Sequence, residues 1–213
     1  WGGYPMDVVY SVDGSTALWR GAGASDEPRA LWWADLGRRD PSAQETTLVV
    51  SHDDLLAISA AGHLLAILEE GTVSVYELED ERLVTAVRLP EGFDRVTALF
   101  PSEESLRLFV RVGQGNGQSL LIVNVVLATG EIVPTGKIKG IGDKLLLMAD
   151  GGLQHMVVWT RSEDGLVSDR NIYDANDGTL IRKLTTSGFP RFLHDGRLVI
   201  MSEDDDGGMS LVV

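Results

Sequence analysis

The chain has 213 residues, of which 44% are hydrophobic and 23% charged, as is ordinary for a soluble globular protein. Its net charge of −14 argues against a nucleic-acid partner, because phosphate binding needs a basic patch. The absence of cysteine excludes disulfides and thiolate-held metal centres. No apolar segment reaches the ~18 residues of a membrane span. We therefore expect a soluble protein, either cytoplasmic or bacterial extracytoplasmic.

Short apolar runs, separated by turn residues, predict β-strands along the whole chain. In Thr72–Tyr76 the alternation is explicit, with Val73 and Val75 on one face. No segment shows an apolar period of 3.6 residues over enough positions to predict a helix instead. The predicted strands, in chain order, are Asp7–Val12, Ser15–Arg20, Ala30–Asp35, Thr46–Val50, Leu55–Ser59, His63–Glu69, Thr72–Leu78, Leu83–Leu89, Val96–Phe100, Ser105–Val112, Ser119–Val126, Glu131–Ile138, Lys144–Ala149, Leu153–Arg161, Arg170–Ala175, Thr179–Thr186, Arg191–His194, Arg197–Ser202 and Gly208–Val213.

One turn recurs five times between these strands. Its copies are Ser11–Gly14, Ser59–Gly62, Pro101–Glu104, Met148–Gly151 and Leu193–Gly196, so their last residues are 48, 42, 47 and 45 positions apart. A period in the forties with four strands per repeat is typical of a β-propeller. The sequence therefore predicts an all-β propeller of four-stranded antiparallel blades, approximately at 4–50, 54–90, 93–138, 143–186 and 189–213.

The fifth repeat is predicted to be incomplete, because three strands follow its turn and no fourth. Two interpretations stay open: five blades that close with an irregular last one, or a piece of a larger propeller. The second is favoured, because an unpaired edge at Val213 would promote aggregation. The chain begins at Trp1 rather than methionine, so a leader or upstream region is expected to have been removed.

Two hairpins carry a resemblance to a known superfamily. The turns Leu127–Glu131 (Leu-Ala-Thr-Gly-Glu) and Tyr173–Gly178 (Tyr-Asp-Ala-Asn-Asp-Gly) are similar to the hairpins of bacterial propeller repeats. Glycine followed by an aromatic residue also recurs before the first strand of a repeat, as in Gly92-Phe93. The chain thus resembles the propeller superfamily in the loose WD40-like or quinoprotein-like sense, without the Gly-His and Trp-Asp dipeptides of typical WD40 repeats.

The loops that join the second and third strands of each repeat vary in length, whereas the recurring turns are short and uniform. Variable loops on a rigid scaffold are where binding usually occurs. In a propeller these loops lie on the same face as the connections between repeats, so we predict that this face binds the partner. The variable loops are Gly21–Arg29, Glu70–Gly71, Gly113–Gln118, Ser162–Asp169 and Glu203–Gly207.

Some of these loops are acidic, namely Ser25–Glu27, Glu163-Asp164 and Glu203–Asp206. Such carboxylates can hold Ca²⁺, but a solvated acidic loop is the favoured interpretation, so no cofactor or metal site is predicted. Asp174–Gly178 opens like an EF-hand loop, yet position 12 of that motif would be Thr185, and a hairpin explains the sequence better.

Five residues are candidates for binding, and none for catalysis. Trp19, Arg20 and Trp32 crowd the first repeat, where aromatic and arginine side chains could anchor an interface or pack between blades. His52 and Asp53 lie in a connection between repeats on the variable face. Because Trp32 and Trp33 are consecutive in a strand, they are predicted to point to opposite faces of the sheet.

The favoured function is a non-catalytic module that presents its loop-rich face to a protein or peptide, and an enzyme is disfavoured. One alternative is a propeller enzyme of the lactonase or quinoprotein type, a hydrolase or oxidoreductase with a metal held by loop carboxylates and His52. Another is an assembly role as a domain of a larger chain. The acidic charge is compatible with basic peptides, although solubility alone explains it.

Overall fold

The computed structural model describes residues 8–11, 13–21, 27–93, 96–102, 104–113, 118–141, 144–149, 154–161, 167–184, 189–193, 197–203 and 209–212. In these ranges the backbone forms nineteen strands and no helix. The all-β prediction is therefore confirmed. No helix in this part of the chain is long and apolar enough to span a membrane.

The strands form five sheets, and within each sheet the strands that follow one another in the chain are paired. The first sheet contains β1 (Val8–Tyr10), β2 (Thr16–Arg20), β3 (Arg29–Asp35) and β4 (Ala43–Val50). The second contains β5 (Leu55–Ile58), β6 (Leu64–Glu69), β7 (Thr72–Glu77) and β8 (Arg82–Arg88). The third contains β9 (Val96–Pro101), β10 (Ser105–Val112), β11 (Ser119–Val126) and β12 (Ile132–Lys139).

The fourth sheet contains β13 (Lys144–Ala149), β14 (His155–Arg161), β15 (Val167–Asp174) and β16 (Leu180–Lys183). The fifth contains β17 (Phe189–Phe192), β18 (Leu198–Glu203) and β19 (Met209–Val212). Among the described residues the last sheet thus has three strands, as the sequence predicts. Whether the chain is one whole propeller or a piece of a larger one stays a prediction.

The chain divides into two compact units. One comprises Trp1–Leu108 with Asn124–Val133, and the other comprises Phe109–Val123 with Pro134–Val213. Within the first unit β1 contacts β5, and β5 in turn contacts β9. Within the second unit β13 contacts β17. Within each unit the first strands of successive sheets are thus neighbours, as are the inner strands of propeller blades.

The first and second sheets pack face to face through one apolar cluster. Leu18, Leu31 and Trp33 of the first sheet meet Leu65 and Leu78 of the second, and all five side chains are buried. This follows from the alternation of side chains along each strand, because one face of a pleated sheet must be apolar if another sheet is to cover it. At about 25 cal/mol per Å² of buried apolar area, burial of this cluster stabilises the packing of the first two sheets.

The recurring turn has the same hydrogen bonds in its first two copies. The Gly14 N–H donates to the Ser11 carbonyl at 3.0 Å, and the Gly62 N–H donates to the Ser59 carbonyl at 2.9 Å. The serine hydroxyl also accepts from the backbone beyond the turn, from Thr16 N at 2.9 Å in the first copy and from Leu64 N at 3.0 Å in the second. Serine at the first position is therefore part of the repeated structure.

In the third copy the serine stands at the second position, and its backbone N–H donates to the carbonyl three residues on, rather than five as in the first two copies. Its serine, Ser102, accepts a hydrogen bond from Ser105 N at 3.1 Å through the side-chain hydroxyl. The ends of the fourth and fifth copies, at Gly151 and Gly196, lie outside the described residues.

Candidate functional site

Arg20 connects the first sheet to the loop that leads into the second. It is buried, and its Nη2 donates a hydrogen bond to the backbone carbonyl of Asp54. Arg20 pairs with Leu31 across the sheet, which places it on the face that packs against the second sheet. Its position is that of a residue that holds a loop in place.

Trp19 and Trp32 lie on the other face of the same sheet. Val8, Trp19, Trp32 and Glu45 form one cross-strand row, because each pairs directly with the next. Both tryptophans are half-buried, whereas Trp33 is 8% exposed and belongs to the apolar cluster. The two neighbouring tryptophans therefore point to opposite faces, as predicted. Trp19 and Trp32 are not brought together with Arg20, and that they bind a partner stays a prediction.

His52 and Asp53 lie in a tight turn between β4 and β5. The backbone N–H of Ser51 donates to the Asp54 carboxylate at 2.6 Å, and Asp54 itself is buried. His52 and Asp53 are both exposed at the tip of this turn. Asp53 lines a cavity, whereas His52 is not among the residues that line it.

This cavity, which we call the groove, has a volume of about 1030 Å³ and lies wholly within the first compact unit. Three connections form it: the β4–β5 loop, the β6–β7 turn and the β8–β9 loop. All three emerge at the same end of the strands, which we call the loop end. The lining residues are Ser51, Asp53, Asp54, Leu55, Leu68, Glu69, Glu70, Gly71, Arg88, Leu89, Pro90, Glu91, Gly92, Phe93 and Val96.

The β6–β7 turn has the backbone of a type I′ hairpin. Glu70 has a φ of 45° and Gly71 a φ of 76°, and positive φ at both central residues is what this turn requires. Glycine adopts that conformation without strain, whereas glutamate does so at a cost. Gly71 also accepts a hydrogen bond from Leu89 N at 2.8 Å, which ties the turn to the end of β8. This wall of the groove is thus rigid.

The floor of the groove is apolar and its margin is acidic. Leu55, Leu68, Phe93 and Val96 are half-buried in it. Asp53, Glu69, Glu70 and Glu91 are exposed, and in the part of the chain that the structure describes none of their four carboxylates has a hydrogen-bond or ion-pair partner. Arg88 is the cation among the described residues that line the groove, and its Nη1 donates to the Thr72 hydroxyl at 3.4 Å.

A second cavity, of about 540 Å³, is lined by the first and second sheets at the end of the strands opposite the groove. It is also lined by carboxylates, but several of these already accept hydrogen bonds or form ion pairs within the chain. Asp35 accepts from Gly37 N and pairs with Arg38 at 2.9 Å. Glu77 pairs with Arg82, and Asp13 accepts from Ser15 N at 2.9 Å. Its apolar lining residues Trp33, Leu64 and Leu78 are buried in the core. This cavity therefore offers less to a ligand than the groove does.

The acidic loops singled out in the sequence fall largely outside the described residues, at 25–26, 163–164 and 204–206. Among the residues described, no group of three or more histidines, aspartates or glutamates is close enough to hold a metal ion. The described residues thus add no support to the Ca²⁺ alternative, which stays open for the loops outside them.

The segment Asp174–Gly178 forms a hairpin turn between β15 and β16. Asp174 N donates to the Thr179 carbonyl at 2.8 Å, and Gly178 N donates to the Asp174 carbonyl at 3.0 Å. The Asp174 carboxylate accepts from Asn176 N at 2.7 Å, and this backbone hydrogen bond lowers the pKa of Asp174 from its usual value near 3.8. The carboxylate therefore caps its own turn, as expected for a hairpin.

Sequence reasoning did not single out Glu69, Glu91 or Phe93 as parts of one surface. Phe93 belongs to the recurring glycine–aromatic pair, so a signal for it existed. The glutamates carried none, because they belong to a turn and a loop that are far apart in the chain and meet only when the second sheet has formed.

No known protein-family profile matches the sequence, and no curated protein matches it. Solved structures do match. Hydrazine synthase from Kuenenia stuttgartiensis aligns with a TM-score of 0.56 and 12% identity over 93% of this chain. The β-propeller domain of the Trilobed protease from Pyrococcus furiosus aligns with a TM-score of 0.60 and 15% identity over 96%. An oligogalacturonate lyase in complex with manganese aligns with a TM-score of 0.61 and 14% identity over 96%.

These likenesses, together with the five sheets, establish a β-propeller fold. The chain spans 56%, 64% and 63% of the three matched chains, in the same order. At such low identities the likeness concerns the fold alone, since one fold supports many unrelated functions.

Proposed function

We propose that this protein is a non-catalytic binding module that presents the loop end of its sheets to a protein or peptide. The observation that carries the proposal is the groove, which combines a half-buried apolar floor with an exposed polar margin. Clefts of this kind, formed by a few connections on a rigid scaffold, are suited to side chains of a partner. Rigidity of the walls favours binding, because little conformational entropy is lost when a partner enters.

Two features of the walls support this rigidity. The Arg20 guanidinium, which lies on the first sheet, holds the β4–β5 loop by donating a hydrogen bond to the Asp54 carbonyl. Gly71 holds the end of β8 through Leu89 N. Asp53, one of the five candidates from the sequence, is the one that lines the groove directly, and Arg20 acts as a positioning residue for the same loop.

We also infer that the chain is part of a larger propeller or assembly. It spans less than two thirds of the three matched chains. The enzyme alternative draws on the lyase with manganese and on the synthase, which are catalysts by their descriptions. It would need carboxylates that converge on one metal, and the groove carboxylates do not form such a group.

A peptide-display selection against the immobilised protein tests the binding function. Selected peptides are synthesised and their contact region is mapped by hydrogen–deuterium exchange. We expect protection at 51–55, 68–71 and 88–93, and weaker binding by a Phe93→Ala variant whose melting temperature stays close to that of the wild type. Failure to select any peptide, or protection confined to the other end of the sheets, would contradict the proposal.

A further inference from the structure

The groove has an apolar floor that a ligand must cover. Leu55 and Leu68 pair directly across β5 and β6, so their side chains lie on one face of the second sheet. Phe93 and Val96 approach from the β8–β9 loop and the start of β9, and all four side chains are half-buried. Covering such surface is favourable for an apolar side chain of a partner, by about 25 cal/mol per Å².

The charge of the groove restricts which partner can do this. Among the described lining residues, five carry carboxylates, namely Asp53, Asp54, Glu69, Glu70 and Glu91, and one, Arg88, is a cation. Asp54 is engaged by Ser51 N, whereas the other four carboxylates have no partner among the described residues. An anionic ligand would be repelled here, and a cationic one would be attracted and oriented.

The spacing of the carboxylates indicates a ligand with several separated cationic groups rather than a single metal ion. They are distributed over three connections, and no three of them converge closely enough to hold a metal among the described residues. Separated carboxylates around an apolar floor match separated lysine or arginine side chains around an apolar anchor.

We propose that the groove recognises a basic peptide segment in which an apolar side chain is flanked by lysine or arginine. The apolar side chain packs on Leu55, Leu68 and Phe93, while the flanking cations meet Glu69, Glu91 and Asp53. This inference rests on the proposed binding function and narrows it to one class of partner.

The test uses fluorescence anisotropy with the whole chain and three labelled peptides of equal length and equal apolar content, which differ only in carrying lysine, serine or glutamate around a leucine. We expect the lysine peptide to bind most tightly and the glutamate peptide not to bind. Raising the salt concentration should weaken binding of the lysine peptide more than binding of the serine peptide, because salt screens exposed charges.

Two double variants locate the effect. Glu69→Gln with Glu91→Gln removes two groove charges, and Glu79→Gln with Asp80→Asn removes two exposed charges at the opposite end. We expect the first variant to lower the affinity for the lysine peptide by about three- to tenfold, because two exposed ion pairs are lost. We expect the second variant to leave the affinity unchanged. Equal losses in both variants would show general attraction to an acidic protein and would overturn the inference.

The outcomes also separate this inference from the function on which it rests. If the serine peptide binds as well as the lysine peptide, and binding is lost in Phe93→Ala but not in the groove charge variant, the groove binds peptides and the basic specificity is wrong. If no peptide binds, both fail. Displacement of the lysine peptide by stoichiometric Ca²⁺ would identify a metal site and overturn the inference.

Discussion

The buried guanidinium of Arg20 donates a hydrogen bond to the backbone carbonyl of Asp54, so a strand of the first sheet holds the loop that begins the second. The same loop carries Asp53 into the groove. One side chain thus links the packing of two sheets to the shape of the candidate site. This relationship predicts that removing the Arg20 guanidinium lowers the free energy of unfolding and also loosens the β4–β5 loop.

We expect Arg20→Met to lower the free energy of unfolding by about 2–3 kcal/mol, because a hydrogen bond from a buried charged group is lost. Amide exchange at 52–55 should accelerate more than elsewhere. Urea unfolding and hydrogen–deuterium exchange measure the two effects. Arg82→Met is the matched control, since Arg82 pairs with Glu77 at 62% side-chain exposure and should contribute less than about 1 kcal/mol. Equal losses in both variants would contradict a special role for Arg20.

Gly62 is expected to tolerate no side chain. Its φ is +77°, and a Cβ there would overlap the Thr16 hydroxyl and lie 2.7 Å from Thr16 Cβ. Gly14, the equivalent glycine of the first repeat, has a similar φ of +71° but open space around it. We expect Gly14→Ala to cost about 1 kcal/mol through backbone strain alone and Gly62→Ala about 3 kcal/mol, because overpacking is added. Thermal and urea unfolding of the two variants give the comparison, and equal losses would mean that the contact with Thr16 relaxes freely.

Glu81 bridges the first two sheets from a strained position. Its φ is 52°, and its Oε2 accepts from Thr47 N at 2.8 Å and from the Thr47 hydroxyl. We expect Glu81→Ala to destabilise by about 1–2 kcal/mol through the loss of these hydrogen bonds. Glu81→Gly should lose the same bonds but recover about 1 kcal/mol of backbone strain relative to alanine. Chemical unfolding of both variants separates the two contributions; a glycine variant less stable than the alanine variant would argue against strain at this residue.

The pKa of Asp174 predicts how its turn responds to acid. The backbone hydrogen bond from Asn176 lowers this pKa below the unfolded value, so the ionised carboxylate stabilises the folded state. That contribution is complete above the unfolded pKa and disappears as pH falls through the folded one. We therefore expect Asp174→Asn to be less stable than the wild type at neutral pH, with the difference shrinking under strongly acidic conditions. Unfolding midpoints measured across this pH range test it, and a difference independent of pH would refute it.

The strand pattern was predictable because it is local. Alternating apolar residues in Thr72–Tyr76 require only a pleated strand, and the recurring Ser59–Gly62 turn requires only four residues. The sequence predicted the sheets, their order and the end of the strands at which variable loops emerge. It also predicted that Trp32 and Trp33 point apart, since that follows from the side-chain alternation of any strand.

The groove was not predictable, because its parts are contributed by three connections that approach one another only when the second sheet has formed. Asp53 was recognised as a residue of the loop end, but its association with Glu69, Glu91 and Phe93 depends on the tertiary arrangement. The role of Arg20 changed for the same reason. Beside Trp19 in sequence it was a candidate either for anchoring an interface or for packing between blades. The pleat places Arg20 on the face that packs against the second sheet and Trp19 on the other face.

The sequence by itself therefore determined a propeller of antiparallel sheets, an acidic surface and the end of the strands where binding is expected. These follow from short-range periodicity and from composition. Only the tertiary structure decided which carboxylates remain without partners and which apolar side chains lie between them. The physical reason is that charge pairing and burial depend on distances between residues remote in the chain, and the periodicity that builds each sheet carries no information about those distances.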